Sequence, residues 1–276
     1  MSDEKRNGAQ SEIRLSIGVR DSGVGGLTVA REIKKVLPHA RILYFADTAH
    51  VPYGERSPDE VRHYALSISR FLIERGAQIL VFACNTSSAL ALDLARETFD
   101  VPIVGTIEPG ARAGLEATKN KRIGVLATRA TVESGVYSQT IKRLGARVET
   151  CEIACPQFVP LVESEKTQTR ETQDAAREYL APLLAFHADT IVLGCTHYPL
   201  LIDALRQAAP SVNFVDPACA VAAEVAGLAE KYARIPACFS GDEFFASGES
   251  EGVARWIEKL LPHSANEVQS APVFDL

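Results

Sequence analysis

The sequence predicts an α/β protein made of two pseudo-symmetric, doubly wound domains that face each other across a central cleft. Three observations carry this. Short apolar runs without polar alternation, such as 79–83 and 190–194, read as strands buried on both faces, as in parallel sheets. Segments with helical periodicity separate these runs, which is the βα alternation of a doubly wound fold. Landmarks of the first half also recur in the second: Ile17 matches Ile123, Cys84 matches Cys195 and Pro109 matches Pro217, at nearly constant separation.

In order, residues 15–20 read as a first strand, followed by Asp21-Ser-Gly-Val-Gly-Gly26 and a helix over 27–37. A second strand over 42–46 leads into 47–54, a loop rich in turn residues, and then a long helix from Pro58 that Gly76 stops. The strand ending at Cys84 is followed by the N-cap types Asn85, Thr86 and Ser87, with the helix running from about Ala89. A strand over 102–107 and a helix after Pro109 close the first unit. The alternation then restarts with a strand over 122–128, a helix capped by Thr131, and a strand over 147–153. Helical pieces over 156–165 and 171–186 precede the strand ending at Cys195, after which Pro199 can open a helix. A strand over 212–216, a helix after Pro217 and an amphipathic helix over 249–261 complete the chain. The expected division is a flexible leader over 1–14, one domain from 15–108 plus 218–262, a second from 109–217, and a loose tail over 263–276.

Composition narrows the function. A net charge of −6 without any basic run argues against nucleic acid, and no apolar stretch reaches the length of about 18 residues that suggests a membrane span. The polar N-terminus lacks a signal-peptide core, so the expected location is the cytoplasm, where thiols stay reduced. The 6 cysteines show neither Cys-x-x-Cys nor zinc-finger spacing, so no metal site is expected. Cys151 and Cys155 read as structural.

The chemistry sits at Cys84 and Cys195. Each ends a buried strand beside a helix start, the edge where open α/β sheets bind ligands, and the positive end of a helix favours a thiolate. Pseudo-twofold symmetry puts the two on opposite walls of the cleft. A reaction that inverts a carbon needs such a pair: one group removes the α-proton and the other returns one from the far face. The strand-to-helix turns offer backbone N–H groups to the carboxylate that accepts the carbanion's charge. Gly23-x-Gly25-Gly26 does not extend to a dinucleotide loop, because the third glycine position is Thr28.

The set Ile17-Gly-Val-Arg-Asp21-Ser22-Gly-Val-Gly-Gly26, Pro52-Tyr53-Gly54, Cys84-Asn85-Thr86 and Gly194-Cys195-Thr196-His197-Tyr-Pro-Leu resembles glutamate racemase, with all motifs in order from Ile17 to Leu261. The resemblance implies interconversion of L- and D-glutamate without a cofactor, supplying D-glutamate for peptidoglycan, in a protein that forms homodimers. It implies that Cys84 and Cys195 are the proton donor/acceptors. Asp21, Ser22, Tyr53, Gly54, Asn85, Thr86, Thr196 and His197 would bind substrate, with Asp21 and His197 also tuning the thiols. Glu163 would assist on the Cys195 side, and Thr128 and Thr131 fall at further substrate contacts. One position departs from the pattern: Arg20 stands where the family usually has an aromatic residue, and a guanidinium there needs a carboxylate or a route to water. Two other readings stay open, a racemase of aspartate or a related acid, and a non-catalytic amino-acid-binding protein.

Overall fold

The computed structural model describes residues 15–145, 147–232, 241–264 and 267–276. The leader over 1–14 lies outside them.

Two parallel sheets form the frame. The first is built on β1 (Ser16–Asp21), β2 (Arg41–Ala46), β3 (Ile79–Phe82) and β4 (Ile103–Val104). The second contains β5 (Arg122–Ala127), β6 (Glu149–Ala154), β7 (Thr190–Gly194) and β8 (Asn213–Val215). Their orders, β2-β1-β3-β4 and β6-β5-β7-β8, are the same. The repeat read from three landmarks is therefore a repeat of topology. The register repeats too: Ile17 lies beside Ile79 and Ile123 beside Thr190, and each cysteine follows its partner strand residue by the same number of positions.

The central strands are apolar because helices cover both faces; every residue of β1, β2, β3 and β7 is buried. Ile17, Ile42 and Ile191 are fully enclosed, each worth about 2 kcal/mol of apolar burial. α1 (Leu27–Val36) buries Leu27, Ala30 and Ile33 and turns Lys34 and Lys35 outward in its last turn. α2 (Pro58–Glu74) begins with a capping box in which the Glu60 N–H donates to Ser57 Oγ at 3.3 Å and the Ser57 N–H donates to Glu60 at 2.9 Å.

Several boundaries differ from the sequence reading for local reasons. α3 (Asn85–Thr98) starts directly after Cys84, whose extended backbone (φ −64°, ψ 121°) takes the N-cap position, so Asn85, Thr86 and Ser87 form the first turn. α4 (Ile107–Ala117) contains Pro109 in its first turn, where a missing N–H costs no helical bond. Thr128 rather than Thr131 caps the next helix, accepting from the Thr131 N–H, and Gly135 in the left-handed conformation splits the segment into α5 (Arg129–Ser134) and α6 (Val136–Leu144). After α7 (Phe158–Glu163) and α8 (Arg170–Ala185), Pro199 lies in a 3-10 turn, Tyr198–Leu201, that leads into α9 (Ile202–Ala208). α10 (Ala218–Tyr232) crosses back to pack on α1.

The C-terminal region corrects the expectation of a loose tail. β9 (Glu243–Ala246) pairs in parallel with β2, α11 (Glu251–Leu260) follows, and β10 (Val268–Ser270) extends the sheet beyond β9. Phe274 then packs near Phe45 and Phe71. No helix among the described residues is long and apolar enough to cross a membrane.

Candidate active site

The carboxyl ends of the two sheets meet, and the hydrogen bonds that join them ring a single site. Asp21, at the end of β1, accepts from the Gly23 N–H at 3.1 Å and from Thr196 Oγ1 at 3.2 Å across the cleft. Glu163, at the end of α7, accepts from the Val24 N–H at 3.2 Å. Tyr137 donates its hydroxyl to Asn85 Oδ1 at 2.7 Å. Thr86, Thr128 and Thr131 form a triangle of hydroxyls, with Thr86 to Thr128 at 2.8 Å, Thr128 to Thr131 at 2.9 Å and Thr86 to Thr131 at 3.3 Å.

Close approach of the walls requires glycine at two positions. A Cβ on Gly54 would lie 2.7 Å from Thr128 Cβ, and one on Gly25 would lie 2.5 Å from both His197 Nδ1 and Thr196 Oγ1 and 2.8 Å from the His197 backbone nitrogen. Because that last atom is backbone, Gly25→Ala has no cheap relaxation. We expect it to destabilise the protein by about 1–3 kcal/mol, seen as a fall in Tm, and to lower kcat/KM at the same time.

The cysteines occupy the two walls. Cys84 is 5% and Cys195 7% exposed, and each packs in a different apolar cluster. Burial pushes the Cys84 thiol up, and Asp21 adds to this, while Arg20 and the Ser87 N–H oppose it. The helix start thus helps the thiolate through one N–H, but burial is the larger effect. This corrects the simple expectation of a lowered thiol at that position.

On the other wall, Cys195 Sγ lies 3.8 Å from His197 Nδ1, and His197 Nε2 lies 2.5 Å from Glu163 Oε1. Burial works against the imidazolium, but the Cys195 sulfur and the Glu163 carboxylate outweigh it and raise His197 well above the ordinary histidine value. Burial also raises Glu163, yet its bond to His197 prevails and lowers it. Asp21 moves the opposite way: burial raises it despite the charge of His197 and two backbone N–H donors.

The structure brings Asp21, Ser22, Cys84, Asn85, Thr86, Glu163, Cys195, Thr196, His197, Thr128 and Thr131 to this junction, all buried except Glu163, whose side chain is 22% exposed. Tyr53 and Gly54 stand at its edge in a 3-10 turn, Tyr53–Glu55. The Tyr53 hydroxyl is already committed, donating to Asp47 Oδ2 at 2.5 Å and accepting from Arg20 Nη2 at 3.3 Å. Sequence reasoning passed over Asp47 and Tyr137. Asp47 follows β2 as Asp21 ends β1, a parallel that was available; nothing local marks Tyr137, whose partner is 52 positions away. Among the described residues, no group of three or more His, Cys, Asp and Glu side chains could hold a metal ion.

Comparison with known proteins agrees with this geometry. The Asp/Glu/Hydantoin racemase family model matches residues 27–225. A glutamate racemase of Desulforudis audaxviator is 45% identical over 240 residues, covering 87% of this chain and 86% of that one. Among solved structures, the glutamate racemase isoform RacE1 of Bacillus anthracis superposes with a TM-score of 0.85 at 34% identity, over 94% of this chain and 97% of that one. The Escherichia coli glutamate racemase, solved with L-glutamate and the activator UDP-MurNAc-ala, superposes with a TM-score of 0.82 at 32% identity, over 95% and 100%. The chain belongs to the Asp/Glu/Hydantoin racemase family, among its glutamate racemases.

Proposed function

We propose that this protein interconverts L- and D-glutamate by two-base proton transfer between Cys84 and Cys195. The observation that carries the reading is the pair of register-equivalent cysteines on facing walls, bridged by the bond between Asp21 and Thr196. One cysteine, as thiolate, takes the α-proton; its S–H bond forms as the C–H bond breaks, and the electron pair stays on the α-carbon. The thiol on the far wall then gives its proton to the opposite face. The two sulfurs end with exchanged protonation states, so the next turnover in reverse uses the same groups in swapped roles.

The carbanion needs donors aimed at the α-carboxylate, and the first turns after Asp21 and Cys84 supply backbone N–H groups. Asp21 supports the Gly23 turn. Ser22, Asn85, Thr86, Thr128, Thr131 and Thr196 offer hydroxyls and an amide to the rest of the substrate, and Gly54 lets that wall close. His197 and Glu163 serve the Cys195 half. One wall of the cleft is read in β1–β4 with their helices and α10, β9, α11 and β10, the other in β5–β8 with theirs.

Glutamate is preferred over aspartate as substrate because the named relatives with high identity are glutamate racemases. The product is read as the D-glutamate of peptidoglycan, made in the cytoplasm by a homodimer; the free thiols Cys84, Cys151, Cys155, Cys195 and Cys219 suit a reducing compartment. The test is to incubate the purified protein with L-glutamate or L-aspartate, without added cofactor, and follow optical activity. We expect the glutamate signal to decay to zero. Faster decay with aspartate, or none with either acid, contradicts the assignment.

A further inference from the structure

Arg20 is fully buried, and the structure gives it little of what a buried guanidinium requires. Nη2 donates to the Tyr53 hydroxyl at 3.3 Å, while Nε and Nη1 have no hydrogen-bond partner among the described residues. The expectation of a carboxylate partner is not met at the guanidinium itself; the nearest hydrogen-bonded carboxylate is Asp47, reached through Tyr53. The guanidinium carbon sits 4.9 Å from the centre of the Phe82 ring and 5.7 Å from that of Tyr53. Rings in this range offset only part of the cost of a desolvated cation.

The groups the Arg20 charge acts on are Asp21, Tyr53 and Cys84. Arg20 lies beside Phe82 in the β1–β3 register, and Phe82, Tyr53 and Cys84 belong to one apolar cluster. The titratable and charged groups acting on Cys84 are Asp21 and Arg20 from β1, and Cys195 from the opposite wall. Cys84 in turn acts on Tyr44 of β2 and on Tyr53 of the turn that follows, with Asp47 behind Tyr53. Asp21, Asp47, Cys195 and the two tyrosines are neutral or anionic. Arg20 is the fixed cation of this set. The Cys195 wall has His197 and Glu163 for its charge; the Cys84 wall has Arg20.

We propose that Arg20 is the fixed counter-charge of the Cys84 wall, a positioning residue whose buried guanidinium, lying over the Phe82 ring two positions before Cys84, makes the Cys84 thiolate easier to form than burial alone would allow. The inference rests on the two-thiol reading above. Arg20 opposes the burial and the Asp21 carboxylate that favour the neutral thiol. It acts through Cys84 and need not touch the substrate.

The test is site-resolved alkylation. Wild type, Arg20→Met and Arg20→Lys are treated with iodoacetamide across a pH series, and the modified Cys84 and Cys195 peptides are quantified by mass spectrometry. We expect Arg20→Met to move the Cys84 curve up by about one pH unit, leave the Cys195 curve in place, and shift the acid limb of kcat/KM with it. Arg20→Lys should restore most of the Cys84 shift. Enantiomers have equal free energy in water, so both directions of racemisation must lose kcat/KM by the same factor. A Cys84 curve that stays in place, or that moves together with the Cys195 curve, overturns the proposal. If Arg20→Met does not fold, Arg20→Gln carries the same test. If neither charge-free variant folds while Arg20→Lys does, the positive charge is a structural requirement and the proposal also falls. Alkylation needs no substrate, so this outcome and that of the racemase assay are independent.

Discussion

Replacing either Cys84 or Cys195 with serine is expected to lower racemisation by about a thousandfold or more while leaving the fold intact. Serine nearly keeps the shape of the cysteine side chain, but its hydroxyl does not ionise near neutral pH and cannot act as the base. The two variants should fail alike, because each turnover in either direction needs both groups, one to take a proton and one to give it. The packing cost is small: each sulfur sits among side chains that accept a slightly smaller atom, so the Tm should change by only a few degrees. The measurement is kcat in both directions beside a thermal melt. A serine variant that keeps more than a tenth of the activity would remove that cysteine from the mechanism.

The second large effect is expected at His197. Its ring joins Cys195 to Glu163, and Glu163 in turn holds the Val24 N–H of the opposite wall. His197→Asn removes the cation beside the sulfur and leaves the Glu163 carboxylate, 22% exposed, without that partner, so kcat should fall by about a hundredfold. Stability carries the same signature. His197 is raised above its unfolded value near 6.5, so its contribution is complete below that pH and is lost as pH rises through the higher folded value. Glu163 is lowered from its unfolded value near 4.5, so its contribution is present above that pH and is lost as pH falls through the lower folded value. The Tm gap between wild type and His197→Asn should therefore be widest between about pH 4.5 and 6.5 and narrow on the alkaline side. A gap that is constant with pH would mean that the ring only fills space.

Much of the site was legible because its signals are local. A buried strand followed at once by a cysteine and small polar residues places both thiols at sheet ends, and the recurrence of that pattern placed them on two walls. Asp21 and the glycines after it belong to the same kind of signal. What was not legible depends on distant partners. The strand Val268–Ser270 is short, polar and half exposed, and only the neighbouring Glu243–Ala246 strand gives it a place in the sheet. Thr128 takes the cap because its hydroxyl meets Thr131 and Thr86 together, a contact between walls that neighbouring residues do not announce. Helix-end electrostatics predicted a lowered Cys84, but the local rule contains no term for full burial, and burial won. Arg20 was conspicuous in sequence, yet its relation to Tyr53 and to the Cys84 wall appears only once β1 and β3 lie side by side.

The central claim is that two thiols on opposite faces handle two different protons, and the most direct test is early-time racemisation of L-glutamate in D2O. At low conversion the account predicts deuterium at the α-carbon of the D-glutamate formed, while the remaining L-glutamate keeps its protium. Deuterium in both enantiomers from the start, or product that retains the original proton, would point to a single exchanging base and contradict the account.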